Sequence, residues 1–141
     1  MSFILPRKSR TALLISYVLF ILYMTLFVRE QGNPRHNFQL FWSYRQFLTS
    51  DKLRMEILHN ILLFVPLGAL LYSFWPHPMS LLVAVFLSAL VEVTQLVFGL
   101  GLCELDDIVS NGLGGCIGWA LARGGRTVIR AYRRRQPPHV E

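Results

Sequence analysis

Apolar and polar positions along this chain fall into long blocks. Residues 11–28, "TALLISYVLFILYMTLFV", form an uncharged run with Arg7, Lys8 and Arg10 before it and Arg29 after it. About 20 apolar residues are needed to cross a hydrocarbon core of roughly 30 Å, so this run predicts a membrane-spanning helix. Its closing residues, Leu26, Phe27 and Val28, are bulky and offer no small-residue cleavage site, which makes it an uncleaved anchor rather than a signal peptide. A polar connection follows over residues 29–56 and contains Gly32, Asn33 and Pro34. Within it, "FQLFWSYRQFL" interleaves aromatic and polar residues, the pattern of a short amphipathic segment at the membrane interface with Trp42 and Tyr44 among headgroups.

Three further runs complete the pattern. Residues 57–76, "ILHNILLFVPLGALLYSFWP", predict a second span; Pro66 removes a backbone donor inside it and should kink it, which a bundle tolerates. Beyond the "PHP" turn, residues 79–101 predict a third span and residues 108–122 a fourth. The fourth is short, about 22 Å of helix at 1.5 Å per residue, so it tilts little, thins the bilayer or draws Asp107 to the membrane boundary. The expected fold class is all-α: a polytopic membrane protein with four transmembrane helices packed as a bundle and an interfacial segment between the first two. Residues 11–122 form the membrane domain, between a basic amino terminus (1–10) and a basic tail (123–141).

Composition agrees, because 53% hydrophobic against 16% charged residues excludes an ordinary soluble domain. Charge then orients the spans. The 14 Lys and Arg occur in three blocks. Four crossings put both termini on one side, where they collect nine of these residues, against five in the first connection and none in the third. Basic residues concentrate on the cytoplasmic side, so both termini are expected inside. By the same rule the tail "RAYRRRQPPHVE" is a topology signal, and nucleic acid is not an expected partner. Cys103 and Cys116 lie too far apart along a helix axis for a disulfide and lack metal-motif spacing, and neither metal nor cofactor is expected.

This topology gathers the unusual polar residues on the outer side. His59 and Asn60 open the second span, Glu92 and Gln95 lie in the outer half of the third, Glu104, Asp106 and Asp107 form the outer turn, and Asn111 is one turn into the fourth. Helical spacing puts Glu92 with Gln95, and Asp107 with Asn111, on common faces. Glu92 weighs most, since a charge near the centre of a lone helix costs on the order of 3 kcal/mol and such groups turn inward, pair or become neutral. It reads as a proton carrier, substrate ligand or general acid, against a packing role. For Asp106 and Asp107, one caps the following helix. With Glu104 the acids exceed what a cap needs, and structural pairing with Lys52, Arg54, Arg45 or Arg35 ranks above metal binding. Gly114 and Gly118, at small-x-x-x-small spacing, let the fourth helix approach the second or third closely. No Ser-His-Asp set, HExxH or glycine-rich phosphate loop is present.

"NILLFVPLG" at 60–68, "EVTQ" at 92–95 and "CELDDIVSNGLGGCIG" at 103–118 resemble, in order, blocks of the VanZ-like family of small bacterial membrane proteins. The family is named for an accessory protein that raises resistance to the glycopeptide teicoplanin. The resemblance highlights Asn60, Pro66, Gly68, Glu92, Gln95, Asp106, Asp107, Asn111, Gly114 and Gly118. Many members carry an arginine shortly before the acidic cluster, where this chain has Gly101 and Leu102. The resemblance implies an envelope protein whose outer polar pocket engages membrane lipids, a lipid-linked cell-wall precursor or the glycopeptide. Three other readings compete with it: an intramembrane enzyme acting on a lipid headgroup, with Glu92 or Asp107 as acid or base; a proton-linked carrier, which would need a homo-oligomer; and a purely structural module.

Overall fold

The computed structural model describes residues 6–28, 36–100 and 103–135, which are mostly helical. Helix α1 (Arg7–Tyr23) widens into a π-helical turn, Met24–Val28. A two-residue strand β1 (His36–Asn37) and the one-turn helix α2 (Trp42–Arg45) lead to α3 (Asp51–Phe74). A 3-10 turn, Pro78–Ser80, opens α4 (Leu81–Phe98), and strand β2 (Cys103–Glu104) precedes α5 (Leu105–Arg135). Expectations that rested on Arg29, Gly32, Asn33, Pro34, Arg35, Gly101 and Leu102, and on the chain after residue 135, lie outside the described residues.

Local chemistry explains the ends. Ser50 caps α3, its side chain accepting the Leu53 amide proton at 3.4 Å, and Asp51 adds an acid to the positive end of the helix dipole. Gly99 takes the left-handed conformation (φ 65°), which lets its own amide and that of Leu100 both return to the Gln95 carbonyl and stops α4. Pro66 does not interrupt α3; it lies on an exposed face, where the ring displaces no neighbouring helix.

Among the described residues, three helices are long and apolar enough to cross a membrane: Arg7–Val28, Asp51–Phe74 and Pro78–Phe98. α5 differs from its expected extent of 108–122, running 31 residues, or about 46 Å. Nothing in "RGGRTVIRAYRRR" stops a helix firmly, since Arg and Ala are good helix formers and the glycines are tolerated. Hydropathy marks where an apolar environment ends, and the helix continues past that point.

The chain direction follows from contacts. Near one end of the bundle Asn60 of α3 meets Asp107 of α5, and near the other the rings of Tyr72 and Trp119 meet at 5.2 Å, so α3 and α5 run parallel. α1 is antiparallel to both: the Arg10 guanidinium donates to the Ser73 carbonyl at 2.6 Å, and the Tyr17 hydroxyl to the Leu63 carbonyl at 2.9 Å. α4 lies against the first half of α5. A buried cluster of Ile21, Leu63, Phe64, Leu67, Leu71 and Ala84 joins α1, α3 and α4.

The tightest seam joins α3 to α5. Side chains added at Gly114 and Gly118 would overlap the carbonyl oxygens of Ile61 and Val65, and one at Gly68 would overlap that of Gly115. Small residues here bring two backbones together as membrane helices require, where burial of apolar surface offers no drive. Many large apolar side chains point outward, among them Leu19, Leu62, Phe86 and Leu121. A contiguous apolar exterior on this scale suits lipid rather than water.

Candidate functional site

Polar side chains from five parts of the chain converge where α3 and α5 begin and α4 ends. The parallel pairing of β1 with β2, His36 opposite Cys103 and Asn37 opposite Glu104, holds the segment before α2 beside the α4–α5 connection. Asp106 then anchors the start of α2: its two carboxylate oxygens accept the backbone N–H groups of Phe41 and Ser43, at 2.5 and 2.8 Å. Phe41 sits in the left-handed region (φ 63°), which costs a bulky residue on the order of 1–3 kcal/mol. Two hydrogen bonds to a charged acceptor, worth about 1.5–3 kcal/mol each, offset that strain. The Tyr44 hydroxyl adds a hydrogen bond to Ser110 Oγ at 2.7 Å, and Ser110 in turn donates to the Asp106 carbonyl at 2.9 Å.

Deeper in, four side chains of the helices reach partners on other elements. Asn60 Nδ2 donates to Asp107 at 2.7 Å, Asn111 Nδ2 to Ser88 Oγ on α4 at 2.8 Å, and Gln95 Nε2 to the Thr25 carbonyl in the π turn at 2.9 Å. The Glu92 carboxylate accepts the Glu104 amide proton at 2.9 Å, closing the loop that Gly99 begins. Glu92, Gln95, Glu104, Asp106, Asp107, Ser110 and Asn111 are all buried, none more than 4% exposed. His59 is exposed and stands apart from them. It borders an open cleft of about 200 Å³ with Glu56, Asn60, Leu63, Met24 and Thr25. Asn60 and Thr25 therefore touch both the cleft and the buried cluster.

The basic partners expected for the acids need a correction at Asp106, whose carboxylate is held by backbone amides. Arg54 instead pairs with Asp51 of its own helix at 2.6 Å, and Arg45 is exposed. The segment containing Trp42 and Tyr44 also differs from a free interfacial helix: only one turn is helical, and Tyr44 reaches into the cluster through Ser110. In the helix seam, Gly68, Gly114 and Gly118 make the close approach, while exposed Pro66 takes no part in it.

Sequence reasoning did not single out Ser88, Ser110 or Thr25. Ser88 precedes Glu92 by four residues and Ser110 follows Asp106 by four, so a helical repeat carries a signal. Serine and threonine in helices commonly bond their own backbone, which masks it.

At the site, the Cys103 thiol and the Tyr44 hydroxyl are both harder to deprotonate than usual. Burial pushes the Cys103 thiol above 9.0, and the charges of Glu92, Asp107 and Glu104 add to this, so the thiol stays protonated and a poor nucleophile at neutral pH. Burial raises the Tyr44 hydroxyl above 10.0, against the Ser110 hydrogen bond and reinforced by Asp106 and Asp107. Both cysteines are free thiols, Cys103 buried and Cys116 exposed. Among the described residues no three His, Cys, Asp or Glu side chains form a group that could hold a metal ion. The buried carboxyl groups offer hydrogen bonding and proton exchange.

The sequence model of the family described as VanZ/LLP1 matches residues 13–129. The chain belongs to the VanZ/LLP1 family. With its apolar helices it is a VanZ-like multi-pass membrane protein. The match takes in every residue of the buried cluster and reaches back into α1, which no short motif had tied to the family. No curated protein and no solved structure matches the chain.

Proposed function

We propose that this VanZ-like protein crosses the bacterial cytoplasmic membrane four times, with both termini in the cytoplasm and the acidic cluster beneath the outer surface. There it engages the headgroup of a lipid or lipid-linked cell-wall component and lowers glycopeptide access, as the resistance to teicoplanin associated with the family suggests. One observation carries the reading: the open cleft beside α3 reaches Asn60, and Asn60 hydrogen-bonds the buried Asp107. A headgroup entering the cleft meets His59, Glu56 and Asn60 first, and any displacement of Asn60 reaches Asp107. The side-chain carbonyl oxygens of Gln95 and Asn111, buried and without hydrogen-bond partners among the described residues, supply further acceptors inside the cluster.

Glu92 is the residue to test. Glu92→Gln keeps the shape and the hydrogen bond to Glu104 but removes the ionisable group. In cells whose teicoplanin tolerance depends on this protein, the variant is expected to lose that tolerance while its level in the membrane is unchanged. Full tolerance in the variant removes Glu92 from the mechanism. The same geometry favours one alternative, an enzyme that acts on a lipid headgroup, because Asp107 stands one hydrogen bond from the cleft. That reading requires an altered lipid in cells overproducing the protein, and an unchanged lipid profile by mass spectrometry dismisses it.

A further inference from the structure

At the end of the bundle opposite the acids, a second and larger cleft of about 540 Å³ opens between the start of α1, the end of α3 and the extension of α5. Four arginines line it: Arg10, Arg126, Arg130 and Arg133. Their placement follows from helix geometry. On α5 the positions 126, 130 and 133 are four and three apart and share one face, while Arg10 arrives from the first turns of α1. Among the described residues no acid lines the cleft, and α5 carries none after Asp107.

Two of these side chains already contact α3. Arg10 donates to the Ser73 carbonyl at 2.6 Å and lies 5.3 Å from the centre of the Phe74 ring, with its Nε buried and without a hydrogen-bond partner among the described residues. Arg126 lies 6.0 Å over the Tyr72 ring, and that ring is braced edge-on by Trp119. Guanidinium groups held by rings and carbonyls lose little freedom on binding, and their planar forks match phosphate oxygens. Four cations facing one space repel each other until an anion enters. Ala69, Ala122, Gly125 and Ile129 complete the lining with Tyr72 and Ser73, and α5 also exposes Leu121 and Val128 nearby in sequence. The occupant must therefore be anionic at one end and greasy at the other.

We infer that this arginine cleft is a binding site for the phosphate-bearing headgroup of an anionic phospholipid, held where the helices leave the membrane. Basic pockets between membrane helices bind such headgroups. The site is separate from the acidic cluster and independent of what that cluster does. Arg10, Arg130 and Arg133 lie outside the stretch that the family match covers.

The test uses the full chain purified in a neutral detergent. Binding is followed by native mass spectrometry and by melting temperature on adding phosphatidylglycerol, phosphatidylcholine, or inorganic phosphate and glycerol phosphate as the free-anion arm. Phosphatidylglycerol is expected to bind and to raise the melting temperature more than either alternative. Arg130→Gln with Arg133→Gln, neither of which has a ring contact to lose, should weaken that binding by roughly tenfold or more, since each basic residue near an anionic surface contributes about 1 kcal/mol. Arg134→Gln with Arg135→Gln removes the same charge outside the cleft and should weaken it far less. Equal loss in the two double variants would reduce the effect to general charge attraction and overturn the site. Equal binding of phosphatidylcholine, or free phosphate binding as tightly as the lipid, overturns the assignment of the ligand without reference to any variant.

Discussion

Asp106 and Asp107 are neighbours of the same chemistry, yet they face different problems. Asp106 turns to the start of α2 and satisfies two backbone donors there, while Asp107 turns to Asn60 on α3. Helical geometry separates adjacent side chains by about 100°, so two acids in sequence can serve two different neighbours. If Asp106 holds the connecting segment, Asp106→Asn loses the charge and one acceptor. The expected cost is about 1–3 kcal/mol, read as a lower melting temperature in detergent and faster hydrogen exchange at the amides of Phe41 and Ser43. Unchanged exchange at those two amides would show that the segment is held by something else. The sequence displayed these acids as an excess over what a helix cap needs. It could not say which neighbour each one meets, because the donors lie 63 and 65 residues away along the chain.

Among the elements, α5 shows two regimes along its length. From Asp106 to Trp119 it is packed, with glycine backbones against α3; beyond Ala122 its residues are exposed, one face bordering the arginine cleft. Glycines in the two halves should therefore respond in opposite ways. Gly118→Leu drives a side chain into the Val65 carbonyl and must part α3 from α5, at a cost of about 2 kcal/mol or more. Gly124→Ala meets nothing within 4 Å and should be neutral or stabilise the helix by up to about 1 kcal/mol. Melting temperatures of the two variants in the same detergent make the comparison. Similar losses for both would mean that the α3–α5 seam does not govern stability. The spacing of Gly114 and Gly118 announced a close approach in advance. The choice of α3 over α4 as its partner was open, because a small-residue face fits any helix that comes near it.

For the whole molecule, the contacts put Arg10 and the arginines of α5 at one end and the carboxylates of Glu92, Asp106 and Asp107 at the other. If the basic end is cytoplasmic, alkaline phosphatase fused after residue 102 should be active outside the cell, and a fluorescent protein fused to the carboxyl terminus should mature inside it. A cytoplasmic reporter at residue 102 would put the acidic cluster on the inner side and remove the proposed access to cell-wall components. Block hydropathy by itself determined that the chain is helical and membrane-bound, because a bilayer demands long apolar runs with their backbone bonds satisfied internally. The charged and amide residues inside those runs likewise announced themselves as groups that lipid would reject. Tertiary structure alone decided that Asp106 grips a connecting segment, that Tyr44 turns inward, and that four arginines from two ends of the chain face one cleft. Each depends on how segments far apart in sequence meet, and side-chain periodicity within one helix carries no record of that.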